Sequence, residues 1–165
     1  MNSILALILL GLAIIESSWG NVLSVAGVHP DLVLVAVISW TLLRGLADGL
    51  VWALIGGLCL DLLSSGPFGL TIVPLVIVCA LARLGYSRVY GAQLWLPLFL
   101  TFPLSVVFYL SDALLLSLTG RPIAWSATLV QVILPASLLN VVAMLILFPL
   151  LRRLHRRVSP PAISW

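Results

Sequence analysis

The chain has 165 residues, of which 62% are hydrophobic and only 8% charged, with a formal net charge of +3. Soluble domains carry about 25% charged residues, so the composition excludes an ordinary soluble fold and describes a multi-pass membrane protein. All eight basic residues are arginine; they sit at the ends of apolar runs and cluster only in RRLHRR near the C-terminus. That charge reports orientation and argues against a nucleic-acid or acidic-substrate surface.

The first run, Ser3 to Trp19, lacks a basic leader and a small-x-small cleavage site, which predicts an uncleaved first span. The second, Asp31 to Arg44, is short. Its strictly apolar part, Leu32 to Leu43, covers only about 18 Å at 1.5 Å per residue, against roughly 30 Å of hydrocarbon. It therefore either begins before Pro30, near Val22, with a kink, or is a short helix shielded by its neighbours. The third span, Leu46 to Leu63, is followed by SSGPFG, in which Gly66 and Gly69 permit positive φ and Pro67 stops the preceding helix. A turn this short predicts that the fourth span, Leu70 to Leu84, runs antiparallel beside the third. The fifth and sixth, Leu94 to Leu118 and Ile123 to Leu151, are over-long; Pro97, Pro103, Pro135 and Pro149 predict kinks or tilt. Residues 152–165 form a basic tail. The fold class is an all-α integral membrane protein with six transmembrane helices.

Arginine placement orients the spans, because cytoplasmic loops retain positive charge. With six spans and both termini cytoplasmic, Arg44, Arg83, Arg88, Arg152, Arg153, Arg156 and Arg157 fall inside and Arg121 alone falls outside. A five-span arrangement stays open because the second run is short. Trp19, Trp40, Trp52, Trp95 and Trp125 lie near predicted span ends, where interfacial aromatic belts form. RRLHRR reads as an anchor at the anionic leaflet, with a partner contact as the alternative.

The acids sort to the other side. Glu16, Asp31, Asp61 and Asp112 fall in the outer half, and Asp48 alone is cytoplasmic, four residues after Arg44 and placed to pair with it. Asp31 follows Pro30 at a helix start, where a carboxylate satisfies free N–H groups. Glu16, three residues from Trp19, is expected to reach water. Asp61 lies near the C-terminal end of its helix, where the dipole disfavours it. It continues a series of small residues spaced by four: Gly45, Gly49, Ala53 and Gly57. Each step of four turns only about 40°, so the series forms a groove that admits another backbone closely. Two readings follow. The groove either packs helices within the chain, with Asp61 bonded to a neighbouring helix end or to SSGPFG, or receives a second protein or ligand. Asp112, in YLSDALLLS, has a comparable depth and could share a site with Asp61.

Cys59 and Cys79 sit in apolar runs, where a thiol behaves as a small hydrophobe, and no Cys-x-x-Cys or histidine cluster accompanies them. No disulfide, metal site or cofactor is expected, and His29 and His155 carry no catalytic pattern.

The segments HPDLVLVAVISWTLLRG and GLVWALIGGLCLDLLSSGPFGL resemble the rod shape-determining protein MreD family of bacteria. That family has a Pro-Asp-like helix start, then a glycine-rich helix ending in Gly-x-x-x-Asp-Leu-Leu, then a short turn of the Pro-Leu-Gly type. The matching positions are Pro30, Asp31, Gly57, Asp61, Leu62, Leu63, Pro67 and Gly69, with Phe68 replacing the usual Leu. The resemblance implies a non-enzymatic inner-membrane subunit of the cell-elongation machinery that supports peptidoglycan synthesis and cell shape. Its implied partners are MreC and, through it, RodA, the cognate penicillin-binding transpeptidase and MreB, besides membrane lipids. It also implies a six-helix arrangement similar to the substrate-binding subunits of energy-coupling-factor transporters. The groove on the third helix, or an equivalent face, would then pack against the MreC transmembrane helix, and Gly57→Leu would weaken MreC recovery.

Two rivals stand beside this reading. A small-molecule-binding transporter subunit would need polar groups converging at one depth, and Asp61, Asp112, Asn140 and Gln131 look scattered in the sequence. An intramembrane aspartyl peptidase would use two aspartates at similar depth. The Asn-x-x-Asp-Arg and Phe-Asn-x-Ala-Asp segments of lipoprotein signal peptidases are missing around Asp61 and Asp112.

Overall fold

Residues 2–19, 28–63, 69–89, 95–120 and 123–158 are described in a computed structural model of the chain. Ser64 to Phe68, which include Pro67, and Arg121 lie outside the described residues, as do the side chains of Trp19, Arg88 and Arg157.

The described elements are helical: α1 (Asn2–Trp19), α2 (Leu32–Arg44), α3 (Leu46–Leu63), α4 (Ile72–Val89) and α5 (Trp95–Leu118). A short α6 (Trp125–Thr128), a π-helical turn (Leu129–Ile133) and α7 (Leu134–Val158) then run on as one rod. Three of these segments are long and apolar enough to cross a membrane: Leu46–Leu63, Trp95–Leu118 and Trp125–Arg156. The π-helical turn has a local cause. Pro135 offers no N–H, and its ring crowds the carbonyl four residues back, at Gln131, so the helix widens over that stretch.

The shielded alternative for the second run is the one the chain adopts. Its helix starts at Leu32, after the non-helical residues 28–31, and Val33 to Leu43 are all buried; Val22 lies outside the described residues. A 13-residue helix is about 20 Å long. It is apolar on every side, so no face of it prefers the periphery. α1, α3, α4, α5 and α7 all touch it. The hydroxyls of Ser39 and Thr41 donate to the carbonyls of Val35 and Val37, at 2.7 and 2.8 Å, which satisfies two polar groups inside the core.

Gly45 is a turn residue and not a member of the helical stripe. It alone joins α2 to α3, at φ 91°, and its N–H donates to Thr41 O at 2.8 Å. A Cβ is strained in that region of the map. The rest of the stripe is buried within the chain. At Gly49 an added Cβ would collide with Thr41 of α2, and at Gly57 it would come within 3.0 Å of Ile72 Cα. Cys79 closes the junction of the three helices, with its thiol 3.3 Å from both Thr41 Oγ1 and the Gly49 carbonyl. Lipid tails are as apolar as leucine, so helices hold together through close packing of this kind and not through expulsion of water.

The tryptophans divide. Trp95 and Trp125 are exposed at helix starts, as an interfacial belt requires, but Trp40 and Trp52 are buried. These two stack on each other, with centroids 4.4 Å apart and planes 13° from parallel. The Arg44 guanidinium lies 5.6 Å from the Trp40 ring and His155 meets that ring edge-on. Sequence position near a span end could not reveal this, because the neighbouring helices close over the rings.

Candidate functional site

The start of α2 is the most concentrated polar site among the described residues. A helix leaves its first N–H groups without intrahelical partners, and in lipid each orphan costs several kcal/mol. Here two carboxyls meet them. The Asp31 carboxyl accepts from Leu34 N–H at 2.7 Å, as the sequence predicts for an N-cap, and Asp31 O accepts from Val35 N–H. Glu16 crosses from α1 to accept from Val33 N–H at 3.2 Å. Glu16 therefore does not simply reach water: it caps a different helix.

Asn140, fully buried on α7, ties this end to the far side of the bundle. Its Oδ1 accepts from Asp31 N–H at 2.8 Å. Its Nδ2 donates to Ser105 Oγ at 3.2 Å and Tyr109 OH at 3.3 Å, both on α5. One amide thus links α2, α5 and α7. Of the four polar groups that look scattered in the sequence, Asn140 is the one bonded here, while Gln131 is exposed and Asp61 serves α4; Asn140 is the residue that sequence reasoning undervalued. A signal for it exists. Ile133, Ala136, Ser137, Asn140, Ala143, Met144, Phe148 and Leu151 recur at helical spacing and are the buried positions of this rod.

Asp61 repeats the device on α4. Its Oδ2 accepts from Gly69 N–H at 2.9 Å and its Oδ1 from Thr71 N–H at 3.2 Å. A carboxyl at the wrong end of its own helix thus sits at the favourable start of the next one. Gly57, one turn earlier, brings α3 against Ile72, the first residue of α4. Gly69 adopts φ 92° in this turn. Asp112 lies on α5, half-buried and within electrostatic reach of both Asp31 and Asp61. Asp48 pairs with Arg44 at 3.0 Å on the opposite side of the bundle.

Chemically, the Glu16, Asp31 and Asp61 carboxyls act as acceptors for backbone N–H groups, and in Asp61 both oxygens do so. Among the described residues no group of histidine, cysteine or acidic side chains is arranged to hold a metal ion, and Cys59 and Cys79 are free thiols. Gly49, Ala53, Gly57, Asp61 and Asp31 are engaged inside the fold, Gly45 and Gly69 shape turns, and Pro67 falls outside the described residues.

Among curated proteins and solved structures, none matches the chain. The family model of the rod shape-determining protein MreD matches residues 1–158, which takes in all the helices and capping carboxyls above. The chain therefore belongs to the MreD family, whose role lies in determining rod shape.

Proposed function

We propose that this protein is a non-enzymatic, multi-pass subunit of the bacterial inner membrane that binds MreC and so supports peptidoglycan synthesis and cell shape. In this reading MreC connects it to RodA, the cognate penicillin-binding transpeptidase and MreB. The family match over residues 1–158 carries the proposal. The structure supports a scaffold in a physical sense, because Glu16, Asp61 and Asn140 each bond across from one helix to another. The six rods cross the membrane with both termini cytoplasmic, in an arrangement similar to the substrate-binding subunits of energy-coupling-factor transporters. The opposed ends of the bundle support that orientation: Glu16, Asp31 and Asp61 lie toward one, Arg44 and His155 toward the other.

The glycine groove is occupied by α2 and α4, so MreC docks on an outer face and not in that groove. Gly57→Leu would then lower MreC recovery only by breaking the α3–α4 contact, with a matching loss of thermal stability. Val51, Leu54, Leu58 and Leu62 form one exposed apolar row on α3, and photo-crosslinkers along that row can read contact with MreC. The primary test is co-purification of MreC with the tagged chain from native membranes, together with rescue of rod shape in cells depleted of their own family member. Absence of both would overturn the proposal.

A further inference from the structure

Between α5 and α7 lies a shallow, open trough lined by Pro97, Leu98, Met144, Leu145, Phe148 and Pro149, with about 190 Å³ of empty space when the open region in front of it is included. Prolines on both walls help to form it, since each replaces a longer side chain with a compact ring. The lining is apolar throughout, and Leu145 is exposed beside the channel. A basic row continues the same face of α7. From Leu145, successive steps of four, three and four residues reach Pro149, Arg152 and Arg156, and at 100° per residue all four lie within about 60° of one another. Arg156 is about 10 Å beyond Pro149 along the axis. Arg153 and Arg156 are exposed and Arg152 half-buried, and among the described residues none of the three meets an acid. Trp95, 64% exposed and two residues before Pro97, stands at the same end of the trough, the position of an interfacial aromatic.

We propose that this trough binds one anionic phospholipid. An acyl chain lies between Leu98 and Leu145, the phosphodiester meets Arg152 and Arg156, and Trp95 marks the depth at which the glycerol backbone sits. This deepens the membrane reading above and rests on it. A polybasic tail alone attracts any anionic surface. The inference here is a site that requires the apolar walls and the arginines together, and that distinguishes a lipid from free phosphate, which has no chain to fill the trough.

Native mass spectrometry of the full detergent-purified chain, titrated with phosphatidylglycerol or phosphatidylcholine, tests it. One tightly retained phosphatidylglycerol is expected. Arg152→Gln/Arg156→Gln should weaken retention by about thirtyfold, from roughly 1 kcal/mol for each arginine near an anionic headgroup. Leu145→Trp, which fills the trough and leaves the arginines intact, should weaken it as well, and millimolar inorganic phosphate should not displace the lipid. Leu98→Trp, on the opposite wall, serves if Leu145→Trp elutes as aggregate. Equal retention of the two lipids, full retention in either class of variant, or displacement by phosphate would overturn the site. MreC capture by the Arg152→Gln/Arg156→Gln protein is expected to persist, so failure of the lipid site and failure of the proposed function give different results.

Discussion

Replacing Asp61 tests whether its carboxyl serves as a hydrogen-bond acceptor or as a charge. Asp61→Leu removes acceptors from two backbone N–H groups, those of Gly69 and Thr71. A buried donor left unsatisfied costs about 1–3 kcal/mol. Gly69 and Thr71 are only half-buried, so the lower part of that range applies to each, and the loss should total about 2–4 kcal/mol. Asp61→Asn keeps one carbonyl oxygen and loses the other, with a cost of about 1 kcal/mol. For a chain of this size 1 kcal/mol moves the melting temperature by about 2–4 °C. The expected falls are therefore about 2–4 °C for Asp61→Asn and roughly 4–16 °C for Asp61→Leu. Detergent-solubilised protein, heated and then resolved by fluorescence-detected size exclusion, gives both values. Equal losses in the two variants would mean that the negative charge itself matters, and an unchanged Asp61→Leu would remove the capping account of this residue.

Three further outcomes follow from the packing. Gly49→Ala drives a methyl into Thr41 and should destabilise by about 1–3 kcal/mol. Thr41→Ala in the same chain should recover part of that loss, whereas strictly additive effects in the double-mutant cycle would show that the two side chains do not meet. Asn140→Leu strips partners from Asp31 N–H, Ser105 and Tyr109 and should cost about 2–4 kcal/mol, while Tyr109→Phe should cost about 1 kcal/mol or less. Similar melting temperatures for these two variants would contradict Asn140 as the hub. Gly45→Ala places a Cβ at φ 91°, ψ −176° and should lower stability by about 1–3 kcal/mol; a neutral result in the same assay would show that the α2–α3 turn relaxes freely.

Much of this architecture could be read from local chemistry. The third helix has the bounds Leu46–Leu63 expected of it, Asp31 caps α2, and Arg44 pairs with Asp48, because each depends on residues within a few positions of one another. The fourth and sixth elements run further than their apolar cores, to Val89 and Val158, since a helix continues past the hydrocarbon wherever its polar residues can reach water. Membership in the MreD family was likewise legible in residues 29–70, where the helix start, the glycines and Asp61 recur in the family's order.

The destinations of the side chains were not legible. In a soluble protein the apolar face of a helix points inward, but here both faces are apolar, and hydropathy does not separate a core-facing leucine from a lipid-facing one. Only small and polar residues carry direction, and they do so in pairs that the linear order separates: Glu16 with Val33, Asn140 with Asp31, Asp61 with Thr71, Trp40 with Trp52. The sequence by itself determined that these chemical groups exist at helix ends and need partners. Which helix supplies each partner was decided by the tertiary structure, because in lipid a free backbone N–H or a carboxyl has no water to turn to and is met by the helix that lies beside it; the indole N–H groups of Trp40 and Trp52 are buried without a partner among the described residues.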